Sequence, residues 1–409
     1  MLNKHHIKLK CLFIFLICLV TTGCWDRVEL NKIGITSATA VDWVQDHWRV
    51  SYQIIIPQSI SSQNVGGGAN QQAPVMVFST DGDTIQSAVQ RASLEMPRTL
   101  FFAHNRITVI GEEAARKGIT LVIEDYFRNA GSRETVSILV SRESGRKILE
   151  QIVPLEKIPG AAVQNMLLNE DKQDSNLNQV MVYQLAMGMT GDSGYTVVPE
   201  VFISGKGQES KSIEMLKNTV FNTKLKLGRL GVFKKDKMIG WMSARDGYGI
   251  SWITNRIDQS VLFFPCSQEN KRFQSAVRIL HAKTRLDPIQ QDGRWVIKAH
   301  VHASAQLIEN GCGIDGSKPE GLRALEKLIN DELAALMQTS LQSAKEMKAD
   351  VFGFASTIHK KYPKAWKQMK EDWDEQFTQT SLETFIQVKL ERLGMSTKPF
   401  EKLMQGKTD

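Results

Sequence analysis

Long apolar runs are almost absent from this chain. Among its 409 residues only the segment 11–20 is continuously apolar. A helix that crosses a bilayer needs about 20 such residues, so this run is too short for a permanent span. Nothing after residue 24 comes closer, and the remainder is expected to be water-soluble. Cysteine is scarce too. There are five, and Cys11 and Cys18 fall inside that one apolar run. So few thiols exclude a disulfide scaffold, and the folding energy has to come from packed cores. Neither Cys-x-x-Cys nor His-Glu-x-x-His occurs, which removes the common zinc frameworks. No stripe of clustered Lys and Arg with interleaved aromatics is present, so a net charge of +7 gives no nucleic-acid footprint. Sequence repeats at periods of about 20–50 residues are also missing, which argues against a solenoid or propeller.

What is present begins at the N-terminus. Lys4, Lys8 and Lys10 precede the apolar run, and Thr21-Thr22-Gly23-Cys24 follows it. A basic region, a short apolar region and small residues make an export signal. A cysteine directly after a small residue is the acceptor pattern of bacterial lipoproteins. On that reading Cys24 becomes the first mature residue and carries a covalent diacylglycerol and an N-acyl lipid. The competing reading is an ordinary secretory signal with an incidental cysteine. Without its three signal lysines the mature chain is near +4, which suits life beside an anionic membrane. Trp25, Asp26 and Arg27 come next. They read either as a tether whose Trp packs on the domain or sits among headgroups, or as contact with a membrane partner. Cys266 and Cys312 remain as a pair that could bridge, and spacing alone does not decide it.

Residues 24–409 suffice for two or three domains, and 42% apolar with 23% charged residues is ordinary for globular chains. Period-2 alternation predicts a hairpin from strands 33–43 and 47–56 about Gln45-Asp46. Ser, Gln, Asn and Gly make 57–74 a loop. A strand at 75–79 leads to a helix over 84–95, capped by Asp81 or Asp83. A strand over 102–110, helices over 112–117 and 119–130, a strand over 136–140 and a helix over 145–152 complete an α/β unit. Residues 169–180 read as a polar linker, 179–189 as helix and 205–212 as loop. Strands 225–233 and 237–242 form a hairpin about Lys235-Asp236, and a short helix spans 249–255. Strands 261–264, 273–285 and 294–307 read as antiparallel. A long helix runs from Pro319 to about residue 348, with Leu322, Leu325, Ile329, Leu333, Leu336 and Met337 on its buried face. Helices over 351–360 and 364–373 are separated by Pro363. A strand over 382–393 closes the fold.

The chemical motifs weigh against catalysis. Gly191-Asp192-Ser193-Gly194 is similar to a serine-nucleophile turn, but no histidine base and orienting carboxylate accompany it. His300 and His302 share a strand face and His281 is the only candidate third ligand, fewer than a zinc site requires. Gly66–Gly68 and Gly205-Lys206-Gly207 lack the ending and context of a phosphate loop. No spaced pair of carboxylates suggests acid–base work. Catalytic residues and metal ligands are both expected to be none. Phe352, Phe354, Tyr362, Trp366 and Trp373 form an aromatic block, read as core at helical spacing or as a groove for a partner.

Several segments resemble the Ger(x)C family of spore germination lipoproteins. They are Gly23-Cys24-Trp25-Asp26-Arg27 at the front, Asp81-Gly82-Asp83-Thr84, Val109-Ile110-Gly111-Glu112-Glu113, and the segment from Gly231 to Trp241. The most specific block runs from Lys348-Ala-Asp350-Val-Phe-Gly-Phe354 through His359 and Tyr362-Pro363 to Trp366 and Trp373-Asp374. The resemblance implies a mixed α/β (α+β) protein of three domains behind a lipoprotein signal peptide. The division expected is 1–23 signal, 24–165 N-terminal α/β domain, 166–258 middle domain, 259–397 C-terminal domain and 398–409 tail. It further implies a non-enzymatic C subunit of a nutrient germinant receptor. Such a subunit acts with an A-type and a multi-spanning B subunit on the outer face of the inner spore membrane, held by lipid and needing no other cofactor. Trp25, Asp26, Arg27, Trp366 and Trp373 are the candidate partner or membrane contacts. The alternative is a solute-binding lipoprotein that captures the nutrient itself, although the two halves are unlike each other.

Overall fold

A computed structural model describes residues 29–61, 73–205, 219–267 and 273–392. Alternating apolar residues pair Ile33–Val44 (β1) with His47–Ile55 (β2) as an antiparallel hairpin. Its tight turn needs left-handed backbone, which Gln45 (φ 47°) and Asp46 (φ 66°) supply. Val75–Gly82 (β3) adds to β2, tied by the bidentate pair of Arg49 and Asp81 at 2.8 and 2.9 Å. Thr99–Phe101 (β4) lies parallel to the start of β1. Ile107–Gly111 (β5), Ser137–Ser141 (β6) and Tyr195–Gly205 (β7) then follow in parallel. Thr223–Lys234 (β8) and Lys237–Met242 (β9) return antiparallel. The sheet order is β3-β2-β1-β5-β6-β7-β8-β9, with β4 beside β1. The strands of the segment read as a middle domain therefore extend the first sheet.

Helices cover both faces of this sheet, as parallel strands require. A short helix, α1 (Pro57–Ser61), follows β2. On one face α2 (Ile85–Glu95), α3 (Glu112–Lys117) and α4 (Thr120–Arg128) bury Ile85, Ala114 and Val122 against Val41, Ile110 and Ile138. On the other, α5 (Gly145–Leu149) and α6 (Pro159–Gln173) bury Ile148 and Val163 against Ala40, Val109 and Leu139. Val182–Thr190 (α7) joins the first group.

A second sheet holds Ser260–Pro265 (β10), Phe273–Gln291 (β11), Arg294–Asn310 (β12) and Ser381–Arg392 (β13), in that order. Asp292-Gly293, with φ 49° and 76°, makes the turn between the two long strands. The long helix α9 (Pro319–Glu346) lays Leu325, Ile329, Leu333, Leu336 and Met337 on this sheet, and Leu322 is only partly buried. Preceding it in sequence is α8 (Ala244–Ile253), and after it come α10 (Phe354–Lys361), α11 (Pro363–Met369) and α12 (Trp373–Gln379). One hydrophobic core runs from Leu230, Val232 and Met242 of the first sheet into the second sheet and these helices.

Several local expectations are corrected. Thr84, not Asp81 or Asp83, caps α2. Its hydroxyl accepts from the Ser87 amide at 3.0 Å and Ser87 Oγ accepts from the Thr84 amide at 3.0 Å. Asp81 is engaged by Arg49 instead. The strand expected over 102–110 begins only at Ile107, because the chain turns at 102–106 after the short β4. The linker expected at 169–180 begins inside α6, whose helix runs to Gln173. Residues 57–61 of the expected loop are helical, and 62–72 lie outside the described residues, as do 206–212 of the later loop. The strand β7 carried no alternation signal because its neighbours cover both of its faces. The last strand pairs with β12 in parallel, which only a crossover through the helices between them allows.

Asp42 shows how the sheet end is closed. It lies two residues before the end of β1 with 3% exposure and accepts hydrogen bonds from Gly145 N at 2.7 Å, Arg146 N at 3.1 Å and Ser144 Oγ at 2.8 Å. Burial pushes its carboxyl above the usual range, and those three donors oppose the rise. A side chain at Gly111 would meet Asp42 Oδ1 at 2.3 Å, so the adjacent strand carries glycine there. Replacing Asp42 with alanine strands the first amides of α5 and is expected to cost about 2–3 kcal/mol. A urea midpoint equal to that of the parent would contradict this role.

Candidate functional site

Cys24, Trp25, Asp26 and Arg27 lie outside the described residues. The chain is described from Glu29, turns once as a 3-10 helix at Leu30–Lys32, and enters β1 at Ile33. Ile33 lies nine positions after Cys24, a reach of about 30 Å when extended. β1 lies in the interior of the sheet, between β2 and β5, and its first residues also pair with β4 through Ile33 and Thr99, Gly34 and Leu100, and Ile35 and Phe101. Any pull on residue 24 is therefore delivered to a strand held on both sides.

The aromatic block lies at the opposite end of the sequence and is interior. Trp366 and Trp373 are 5% and 3% exposed, with their rings edge to face at 5.4 Å. The surface that either can offer a partner is thus a small edge. Phe352 stacks on Phe354 at 5.2 Å, and Phe377 packs beside both. Asp350 sits beneath them with no exposure. It accepts from Phe354 N at 3.0 Å, Ala355 N at 2.8 Å and Trp373 Nε1 at 3.1 Å. Burial pushes its carboxyl up, while the three donors favour the ionised form. Gly353, at φ 72°, turns the chain so that α10 begins over that carboxylate. The acid-then-glycine spacing ahead of a helix was the available signal for this arrangement, whereas the block was expected to be core or a partner groove, with no role for Asp350.

This block docks onto the far end of the first sheet. Lys234 Nζ meets Asp374 Oδ2 at 2.5 Å, a hydrogen bond that raises the lysine's affinity for its proton. The nearby Tyr195 hydroxyl is pushed up to about 12, chiefly by burial. Arg245 pairs with Glu332 at 2.6 Å, linking α8 to α9. His359 stacks on Trp366 and its Nδ1 lies 2.9 Å from Asp192 Oδ1. Asp192 belongs to the Gly191–Gly194 turn, where Ser193 Oγ accepts from the Tyr195 amide at 3.2 Å. Ser193 is therefore held in turn geometry, and the acid of that turn faces a histidine from another helix.

His300 and His302 share one face of β12, opposite Arg285 and Lys283 of β11, and His300 stacks on Phe385 at 4.9 Å. His281 faces Ser304, two pairs further along. These cationic neighbours oppose a metal ion. Among the described residues, no three His, Cys, Asp or Glu side chains converge as ligands. Cys266 and Cys312 form a disulfide, Cα to Cα 5.1 Å, joining the end of β10 to the segment after β12.

Comparison with known proteins assigns the family. The profile of a spore germination protein N-terminal domain matches residues 26–203, and that of a "Spore germination B3/ GerAC like, C-terminal" region matches 228–394. Spore germination protein KC of Bacillus subtilis (strain 168) is 27% identical over 400 residues, covering 96% of this chain and 98% of its own. Spore germination protein B3 of the same organism is 22% identical, covering 96% and 99%. The crystal structure of the GerBC protein superposes with a TM-score of 0.53 at 18% identity, over 87% of this chain and 97% of that one, which shows a shared fold. With both profiles matched in order along most of its length, this chain belongs to the GerAC- and KC-like family of spore germination C subunits, a non-enzymatic family.

Proposed function

We propose that this protein is the lipid-anchored C subunit of a spore nutrient germinant receptor. It works with an A-type and a multi-spanning B subunit on the outer face of the inner spore membrane, as a binding and positioning component. The observation that carries this reading is the match with spore germination relatives over 96% of this chain and 98–99% of theirs. The disulfide supports an extracytoplasmic setting, since such bonds persist in oxidising compartments. No helix among the described residues is long and apolar enough to cross a membrane. On this reading attachment rests on Cys24. A single acyl chain holds a protein only weakly, and a diacylglyceryl group supplies two. Residues 1–23 are then the removed signal and 398–409 a tail. The units 24–165, 166–258 and 259–397 stand behind the anchor, the second sharing its sheet with the first.

The test is Cys24→Ala expressed in cells that lack the A and B subunits, so that assembly cannot retain the variant. Fractionation is expected to find the parent in the membrane pellet and the variant in the soluble fraction. A variant that stays wholly in the pellet would remove the lipid from the account.

A further inference from the structure

A cleft of about 650 Å³ opens between α2 and α4, bordered by Thr84, Gln86, Leu121 and Arg128. A smaller chamber of about 40 Å³ lies beneath it, reaching Thr39 and Thr108 on the sheet. Ile85, Asp125 and Asn129 line both, so the two spaces meet at these side chains. The chamber floor is polar inside an otherwise apolar layer. Thr39 Oγ1 and Thr108 Oγ1 are 2.8 Å apart, and Tyr126 OH bonds to Thr108. Asn105 Nδ2 donates to Thr39 at 3.1 Å and to Tyr126 OH at 3.1 Å. Its Oδ1 is buried without a partner, in a side chain only 8% exposed. Asn105 stands behind the lining residues Thr39 and Tyr126, which it holds in place through its amide nitrogen.

The charges are arranged asymmetrically. Arg128 is the cation of the cleft lining, and Glu124 already holds it at 2.6 Å. Asp125 is half-buried at the junction of cleft and chamber, and its carboxylate has no hydrogen bond or ion pair among the described residues. Burial alone raises its carboxyl above the usual range. A half-buried carboxylate without a cation of its own is stabilised most by one that enters from solvent.

We propose that this cleft binds a small organic cation, a primary ammonium group on a short apolar body. The ammonium sits on Asp125, and the body lies against Ile85, Val89 and Leu121. An anionic ligand of the same size has no free cation to meet. The site belongs to this chain alone and does not depend on the receptor reading above.

The test uses the full-length chain in detergent and saturation-transfer NMR, with n-butylammonium, butyrate and 1-butanol as probes. Butylammonium is expected to bind with a dissociation constant on the order of 1 mM or tighter, as five heavy atoms allow. Butyrate is expected to give no transfer, and 1-butanol at least tenfold weaker binding. Asp125→Asn keeps the shape and removes the charge. It should weaken butylammonium at least tenfold while melting at or above the parent temperature, which shows that the cleft is intact. Absence of butylammonium transfer in the parent, or equal binding by the folded Asp125→Asn variant, would overturn the proposal.

Discussion

Replacing Asp350 with alanine is expected to cost about 4 kcal/mol, a large part of the roughly 5–15 kcal/mol that holds a domain folded. The substitution strands two backbone amides at the start of α10 and the indole of Trp373, all buried. Each such donor left unpaired costs about 1–3 kcal/mol. Trp373 also loses the group that fixes its orientation against Trp366. Because one core runs from this block into β8 and β9, the loss should spread beyond the helices. Urea unfolding and hydrogen exchange measure it. We expect a lower midpoint and faster exchange for amides of both the block and β8. Asp350→Asn, which keeps one acceptor oxygen, should lie between alanine and the parent. A shift below about 1 kcal/mol for alanine would mean the carboxylate is not the keystone described here.

Gly249→Ala should destabilise, although helix propensity predicts the reverse. In an exposed helix that change is worth about 1 kcal/mol of gain. Here the new Cβ would lie 2.0 Å from Ser340 Oγ, 2.7 Å from Ser340 Cβ and 3.1 Å from the Leu336 carbonyl. Ser340 is fully buried and its hydroxyl is bonded to that same carbonyl at 3.0 Å, so it cannot simply rotate away. α8 and α9 must separate, and overpacking of this kind costs about 1–3 kcal/mol. The neighbouring Gly247 is equally constrained, with Asn176 O at 2.2 Å and Leu230 Cδ1 at 2.8 Å from a built Cβ. A double-mutant cycle isolates the contact. Gly249→Ala together with Ser340→Gly should lose less than the sum of the two single losses. A stabilised Gly249→Ala protein would show that the helices do not approach this closely.

These two sites explain what the sequence made legible. Alternation through Trp48, Val50, Tyr52 and Ile54 identified β2, and β-forming runs about short turns identified β1, β8, β9 and the long ribbon of β11 and β12. The period of the long helix pointed to Leu325, Ile329, Leu333, Leu336 and Met337, which α9 does bury. The start of α8 was missed because Gly247 and Gly249 depress helix propensity locally. They are there for close approach, a tertiary reason invisible to a local reading. β7 was missed for a related reason: a strand covered on both faces shows no alternation. The parallel pairing of β13 depends on a crossover that no local pattern encodes. Asp350 was present in the motif that carried the family resemblance, yet its role as a buried triple acceptor needed Trp373, 23 positions away, to become apparent. The cleft was not foreseen at all, because Ile85, Asp125 and Asn129 border one cavity only when α2 and α4 are assembled on the sheet.

The central claim is that this chain stands on the spore membrane as one subunit of a receptor. Affinity isolation of the tagged chain from detergent-extracted spore membranes, followed by quantitative mass spectrometry, tests it most directly. The account predicts a mature chain that begins at Cys24 with its lipid attached, recovered together with A-type and B-type subunits in constant ratio. Recovery of the chain alone, with an unmodified terminus, would contradict it.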